Sequence, residues 1–406
     1  MECLGDLGAL KVYPSTAFSY PTTNPPQLRP QFKPNQVMQF AVKIEADELP
    51  KYFVLLVDSD KSPSMAAFIV PQGKERAWIF SDTDGLKELI AQIGTSRTLI
   101  IRVSPTHFVK SLEDVQGELA PLVSALQDTS RFSGKIPFIT DGSVGRREIL
   151  FQSNNLIVED VEREAGTFRE LLFTSNINEI QSEVKLLDDG LVDWSFLGFQ
   201  CHRRMLAGLA KVPLDIVRDS RVLILGAGAC VLANYILRAL PVASVTAVEI
   251  DPNVIDVAKQ FFQLVPDDRL HIEIGDAYDF VIRASTGHFN VVMIDISEAD
   301  PSSTAPPPQF YSAEFLAALK SLTHLKGLVA FNTVKAEGST MKSAFKNAFQ
   351  TVLSSKCTEE KNEVFCLYSA PPTANSESLL PESVKEFVGD LQPLKKKRKR
   401  ANKKKK

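Results

Sequence analysis

From Arg221 to Val334 the chain alternates strand-like and helix-like runs, and no other feature constrains its fold as strongly. The strand-like runs are VLILGAG, SVTAVEID, LHIEIGDA, NVVMIDIS and GLVAFNTV. The runs between them include VLANYILRAL and VIDVAKQFF, whose apolar residues recur at helical spacing. Such alternation implies a parallel sheet with helices on both faces. Ligands bind such sheets outside the carboxyl ends of the strands. The residues that end each run are therefore the first candidates for function.

The first run ends in Leu225-Gly226-Ala227-Gly228-Ala229-Cys230. A glycine turn there lets a ligand lie against bare backbone at a helix N-terminus. A dinucleotide fingerprint would place a third glycine at position 231, where this chain has Val231, and this argues against NAD. Glu249, ending the second run, lies 21 residues beyond Gly228, the spacing of a carboxylate that accepts ribose hydroxyls. Asp276 ends the third run and can accept from an adenine amino group. Each has a plain alternative: Gly226 a simple turn, Glu249 a solvated strand end, Asp276 a helix cap. In this order they mark an S-adenosylmethionine site, with Gly226, Gly228, Glu249, Ile250, Asp276 and Ala277 as its expected residues. Asp295 ends the fourth run and points to where the sulfonium methyl would lie, so it could orient an incoming amine. The alternative is that Asp295 caps the next segment. Phe310 and Tyr311, after the proline-rich stretch EADPSSTAPPPQFYS, are candidates for a substrate channel or for plain packing. His107, His271, His288 and His324 read as structural. No cluster has metal-ligand spacing, so no metal is expected.

The remainder of the chain is α+β in pattern. Short apolar runs at 37–44, 52–58, 66–71, 77–80 and 98–103 predict strands, and 85–93 and 112–127 predict helices. The expected division is a smaller α+β domain over 1–147 and a strand-rich segment over 148–200. The catalytic domain follows over 201–370, and a linker with a basic tail over 371–406. His202 to Leu214 reads as helical, residues 370–380 as a loose linker, and ESVKEFVGDL as a last short helix. The net charge of −3 includes ten basic residues within 395–406, so the rest of the chain carries −13. A run of like charges stays unfolded. It suits RNA or a nuclear import receptor, or is simply solvated. No stretch approaches the ~20 apolar residues needed to span a bilayer, so no membrane role is expected. The N-terminus has no basic region followed by an apolar core, so no secretory signal is expected. The five cysteines form no CxxC pair, which favours a reducing compartment: cytoplasmic, with a nuclear fraction through the tail.

Two resemblances enter at these residues. From Thr174 to Val334 the chain resembles the spermidine synthase family. In SNINEIQSE, Gln181 matches a glutamine that contacts the donor in that family, and Asp295 matches its catalytic aspartate. The family's DSSDP motif reads here as Asp295-Ile296-Ser297-Glu298-Ala299-Asp300-Pro301, and its tyrosine–acid gate reads as His202-Arg203-Arg204-Met205. Arginine is charged at any relevant pH, so Arg203 and Arg204 at a gate would repel a polyamine. The longer resemblance, over roughly 50–370, is to the C-terminal half of the family of dual lysine and N-terminal methyltransferases of translation elongation factor 1-alpha (the methyltransferase-like protein 13 family). It rests on YFVLLVDS, AAFIVPQGKERAWIF, RELLFTSNINEIQSEVKLL, HRRMLAGLA, AVEIDP and IDISEADPSSTAPPPQF. One departure is that the family's turn usually carries more glycines than GAGAC.

The second resemblance implies a class I, Rossmann-like and spermidine-synthase-like fold that uses S-adenosylmethionine to methylate the elongation factor's N-terminal amine. The chemistry fits such a target. An α-amine has a pKa of roughly 7.7–8.0 against about 10.4 for lysine, a difference worth ~3.4 kcal/mol of deprotonation. One carboxylate could manage this by positioning and desolvation. An aminopropyltransferase is the alternative enzyme, and a non-catalytic cofactor-binding scaffold is the alternative outside enzymes. The resemblance to spermidine synthases also implies a homodimer.

Overall fold

The computed structural model describes residues 4–394 except 8–9, 16, 18–30, 46, 48, 61, 105–106, 108–110, 133, 141–146, 164, 266, 285–287, 298–303, 335–338, 359 and 373–375. The basic tail and Glu298 to Pro301 therefore lie outside the described residues. The chain divides into two compact units, Met1–Ile180 and Gln181–Lys406.

In the first unit a seven-stranded mixed sheet includes Val37–Ile44, Tyr52–Asp58, Ser62–Ile69 and Thr95–Val103. Alternation along each strand sends Val54, Leu56, Ala67, Ile69, Leu99 and Ile101 to one face, where Val115, Leu119 and Leu122 of helix Leu112–Leu126 pack. The opposite set, Leu55, Val57, Phe68 and Ile100, packs on Leu86, Leu89 and Ile90 of helix Thr83–Ile93. The run at 77–80 is not a strand as expected; Trp78–Ser81 is one helical turn. A four-residue apolar run does not distinguish strand from helix, and Asp82 then caps the next helix by accepting from Asp84 N. Within the segment Pro71 to Glu75, Glu75 is buried. Glu75 accepts from Gly73 N at 2.8 Å and pairs with Arg147 at 3.0 Å. Four further strands, Arg147–Gln152, Leu156–Arg163, Gly166–Phe173 and Asn176–Leu186, form a separate sheet in chain sequence. The last of them carries Gln181 and Ser182 at the start of the second unit.

The second unit holds eight strands: β1 (Arg221–Leu225), β2 (Ser244–Glu249), β3 (Leu270–Ile274), β4 (Phe289–Ile294), β5 (Thr323–Val334), β6 (Thr351–Lys356), β7 (Asn362–Tyr368) and β8 (Gln392–Pro393). Its helices are α1 (Gln200–Ala207), α2 (Val231–Ala239), α3 (Pro252–Phe261), α4 (Ala277–Arg283), α5 (Ala313–Leu322) and α6 (Ser339–Ala348). The sheet order is β3-β2-β1-β4-β5-β7-β6-β8. The first five strands are parallel, and β7 runs antiparallel to both β5 and β6. The order reverses between β1 and β4, which makes that point the natural ligand crevice. Each expected strand of this half is present.

The helix expected from His202 is shorter than its apolar pattern. α1 ends at Ala207, a 3₁₀ turn covers Gly208–Lys211, and Pro213 stops continuation. Gly208 lies so close to β7 that a Cβ would meet Cys366 Sγ at 2.7 Å. Ser376, in the stretch read as a linker, is fully buried; its N donates to Ala210 O and its Oγ to Val212 O. The last short helix spans only Glu382–Lys385.

Candidate active site

The glycine turn follows β1, and close approach explains its composition. Gly226 has φ +83°, and a Cβ there would lie 2.1 Å from the carbonyl oxygen of Asp295. Gly228 has φ +52°, and a Cβ there would meet Ser182 Oγ at 2.8 Å. Ser182 Oγ accepts from Ala229 N at 3.0 Å, which ties the turn to the strand that carries Gln181. Cys230 also takes a left-handed conformation, φ +58°, at the head of α2. That conformation favours glycine, so the extra glycine usual in the resembling family has a conformational meaning here.

Glu249, at the end of β2, is 8 % exposed. Its Oε2 accepts from Gly228 N at 2.8 Å, and its Oε1 from Ile250 N and Asp251 N at 2.9 and 3.1 Å. It is thus a buried organiser of the site rather than a solvated strand end. A carboxylate has about four lone-pair sites; three N–H donors leave room for one ribose hydroxyl without exchanging a backbone contact. Burial raises the Glu249 pKa above the ordinary carboxylate value, although the three backbone donors oppose the shift. Acidification therefore protonates Glu249 earlier than an ordinary glutamate. Calorimetric titration with the methyl donor should show affinity falling as the pH drops through that raised value. In Glu249→Gln an NH₂ group must face at least one backbone N–H, and the expected loss is about 1–3 kcal/mol, or roughly tenfold or more in affinity. A variant that binds as tightly as wild type at every pH refutes the assignment.

Next to it Ile250 is 66 % exposed, an apolar face held in solvent at the carboxyl end of β2. Asp276 caps α4, with Oδ1 accepting from Asp279 N at 3.0 Å, and stays exposed; Ala277 opens the helix behind it. Gln181 reaches the same edge, where its Oε1 accepts from Ser297 Oγ at 2.9 Å. A cleft of about 640 Å³ beside β3 and α4 is lined by Thr246, His271, Glu273, Asp276 and His288 among others, and of the expected donor residues it takes in Asp276 alone.

Asp295 follows β4, with its N donating to Leu225 O at 2.9 Å. Its side chain is a quarter exposed and caps no helix among the described residues. Oδ2 lies 2.6 Å from His202 Nε2 on α1, and Oδ1 accepts from Asn332 Nδ2 on β5 at 2.7 Å. Burial pushes the Asp295 pKa up, but the hydrogen bond and electrostatic attraction of His202, with the hydrogen bond from Asn332, prevail and hold it below the ordinary value. Sequence reasoning missed His202 and Asn332. The signal for His202 was its place at the head of the gate-helix stretch.

One expectation changes, and one open alternative resolves to packing. Arg203 and Arg204 do not face the site. Arg203 lies over the Phe387 ring and bonds Gly198 O, while Arg204 is buried and bonds Asp390 Oδ2 at 2.7 Å and Ser355 Oγ. They cannot serve as the electrostatic barrier to a polyamine. Phe310 is core, edge-on to Tyr278 and Phe315, and Tyr311 packs against the same cluster. The fold also brings Cys201, His202 and Asp295 within 4.8 Å of one another. Burial, with Glu360 and Asp295 nearby, drives the Cys201 thiol well above its ordinary pKa. It is an uncharged packing group, whereas metals take the thiolate.

That sheet order, with the strand ends it gathers at the β1–β4 reversal, is the class I methyltransferase fold in its spermidine-synthase-like form. The family model for the spermine/spermidine synthase domain matches residues 200–371. More particularly, the chain is similar to the eEF1A lysine and N-terminal methyltransferases. It is 33% identical to the Drosophila melanogaster homolog over 349 residues, 79% of this chain and 51% of that one. It is 29% identical to the Bos taurus protein of that name over 387 residues, 81% of this chain and 55% of that one. The chain thus spans about half the length of these curated relatives. The crystal structure of human methyltransferase-like protein 13 in complex with SAH aligns at 25% identity with a TM-score of 0.41, over 47% of this chain and 90% of that one.

Proposed function

We propose that this chain is an S-adenosylmethionine-dependent protein methyltransferase that modifies the N-terminal α-amine of translation elongation factor 1-alpha, in the cytoplasm. The observation that carries the reading is Asp295, a single carboxylate held ionised by two N–H donors and left a quarter open beside the glycine turn. The names of the relatives, which pair lysine with N-terminal methylation, support the choice of substrate. Gly226 and Gly228 would admit the donor against bare backbone. Glu249 would take a ribose hydroxyl, Ile250 and Ala277 would flank the adenine, and Asp276 and Gln181 would hold its polar groups. The donor supplies an electrophilic methyl group. The chain's own task is to present a neutral amine. Asp295 pairs with the incoming α-ammonium, aligns it and accepts its proton. One carboxylate suits an α-amine, which deprotonates ~2.5 pH units more readily than lysine. A polyamine needs several carboxylates spaced along its length. At the site Glu360 is already engaged, accepting from Gln200 N and Cys201 N at the head of α1.

The test is incubation of the full chain with labelled S-adenosylmethionine and elongation factor 1-alpha bearing either a free or an acetylated N-terminus. A parallel arm uses putrescine with the decarboxylated donor. Peptide mapping should place methyl groups on the free α-amine only. Label confined to lysine, transfer only to putrescine, or no label with donor binding intact would each overturn the proposal.

A further inference from the structure

Methyl transfer as proposed gives Asp295 a task and His202 none. His202 is 93 residues from Asp295 in the chain, yet its Nε2 lies 2.6 Å from Asp295 Oδ2. Charge sets the direction of that hydrogen bond. An ionised carboxylate can only accept, so the Nε2 that faces it carries a proton. Nδ1 is buried and has no hydrogen-bond partner among the described residues. The ring is held edge-on by Phe199, with centroids 5.3 Å apart. On the other side of Asp295, Asn332 could in principle turn either end of its amide toward the carboxylate. A carboxylate that can only accept requires the NH₂ end toward Asp295, and Asn362 Nδ2, donating to Asn332 Oδ1 at 2.8 Å, agrees with that orientation. Each carboxylate oxygen is therefore held by one N–H, from two different elements, α1 and β5.

We propose that His202 is the positioning residue for Asp295: its Nε2–H, opposed by the Asn332 amide, locks the carboxylate in the rotation that receives the substrate amine. This rests on the methyltransferase reading above. The proton step closes on Asp295 and solvent. The ammonium N–H bond breaks with its electron pair left on nitrogen, an O–H bond forms on Asp295, and Asp295 returns the proton to water. The titratable and charged groups around the pair are Cys201 on α1 and Glu360 ahead of β7, with Cys357 and Arg204 beyond them. Glu360 is turned to the N-terminus of α1, and Arg204 to the C-terminal segment.

Two variants separate positioning from packing. His202→Phe fills the space and removes the donor, whereas His202→Gln keeps a donor without an imidazole. With the full chain and an α-amine peptide, His202→Phe should lower kcat about 10²-fold, the usual effect of a small misplacement of a reacting group. KM for the methyl donor should not move, and His202→Gln should recover to within about tenfold of wild type. Independently of turnover, the ¹³C carboxyl signal of Asp295, assigned by its disappearance in Asp295→Asn, should titrate at higher pH in His202→Phe than in wild type. Wild-type kcat together with an unmoved carboxyl titration in His202→Phe overturns the proposal. A wild-type chain that methylates nothing defeats the proposed function instead, and the carboxyl titration still decides the role of His202.

Discussion

Asp295→Asn should cut methyl transfer by about 10²–10⁴-fold, the range for loss of a positioned acid–base group, while donor affinity and melting temperature change little. The amide keeps the size of the side chain and can still accept from His202 Nε2. It cannot pair with an ammonium or accept its proton. The Asn332 contact is more exposed to harm, because an amide NH₂ turned toward Asn332 Nδ2 opposes two donors. Single-turnover rates against peptide pH will separate these effects. If the carboxylate acts by taking the proton from the ammonium it pairs with, raising the pH should supply neutral amine without it and rescue Asp295→Asn toward wild type. A variant with full activity at neutral pH removes Asp295 from the site.

Gly226→Ala is expected to abolish donor binding and destabilise the second unit. The left-handed φ alone costs an alanine roughly 1–2 kcal/mol. To this is added the overlap of Cβ with the Asp295 carbonyl oxygen, 2.1 Å away, a backbone atom that cannot swing aside. Relief requires β1 and β4 to part at their carboxyl ends, where the donor would sit. Gly117→Ala is the control. Gly117 lies within helix Leu112–Leu126 with nothing within 4 Å of its added Cβ, and the change there should be neutral or stabilising by up to about 1 kcal/mol. Thermal unfolding and donor titration of both variants decide the point; a Gly226→Ala chain that binds donor normally contradicts the account of the turn.

The alternating half was legible because a parallel sheet imprints its rhythm locally: each run is a strand or a helix, and each turn ends in a residue with a reason to be there. Glu249 and Asp276 could be named from spacing, and Asp295 from its place after the fourth run. What spacing could not reveal was their surroundings. Gly226 looked like an ordinary turn glycine, yet its need comes from Asp295, far along the chain and adjacent only because β1 and β4 pair. His202 and Asn332 meet Asp295 through tertiary packing that no local pattern encodes. Arg203 and Arg204 misled for a similar reason. A resemblance placed them at a gate, and only the C-terminal segment, returning to α1 with Phe387 and Asp390, shows where they point. The run at 77–80 failed at the local level, because apolar residues alone do not choose between one helical turn and one strand.

The return of that segment bears on how the protein should be trimmed. Arg204 is two residues from His202 on α1, and it is anchored by Asp390 and the Phe387 ring. Leu394 N then bonds Val352 O, and Gln392 and Pro393 extend the sheet along β6. An expression boundary chosen to shed the lysine run has a safe position only after Leu394. A cut ahead of Phe387 and Asp390 would strip a buried guanidinium of its counter-charge and loosen α1, which carries the His202 contact to Asp295. The resulting protein would look like a tail-dependent enzyme when in truth it had lost part of its frame.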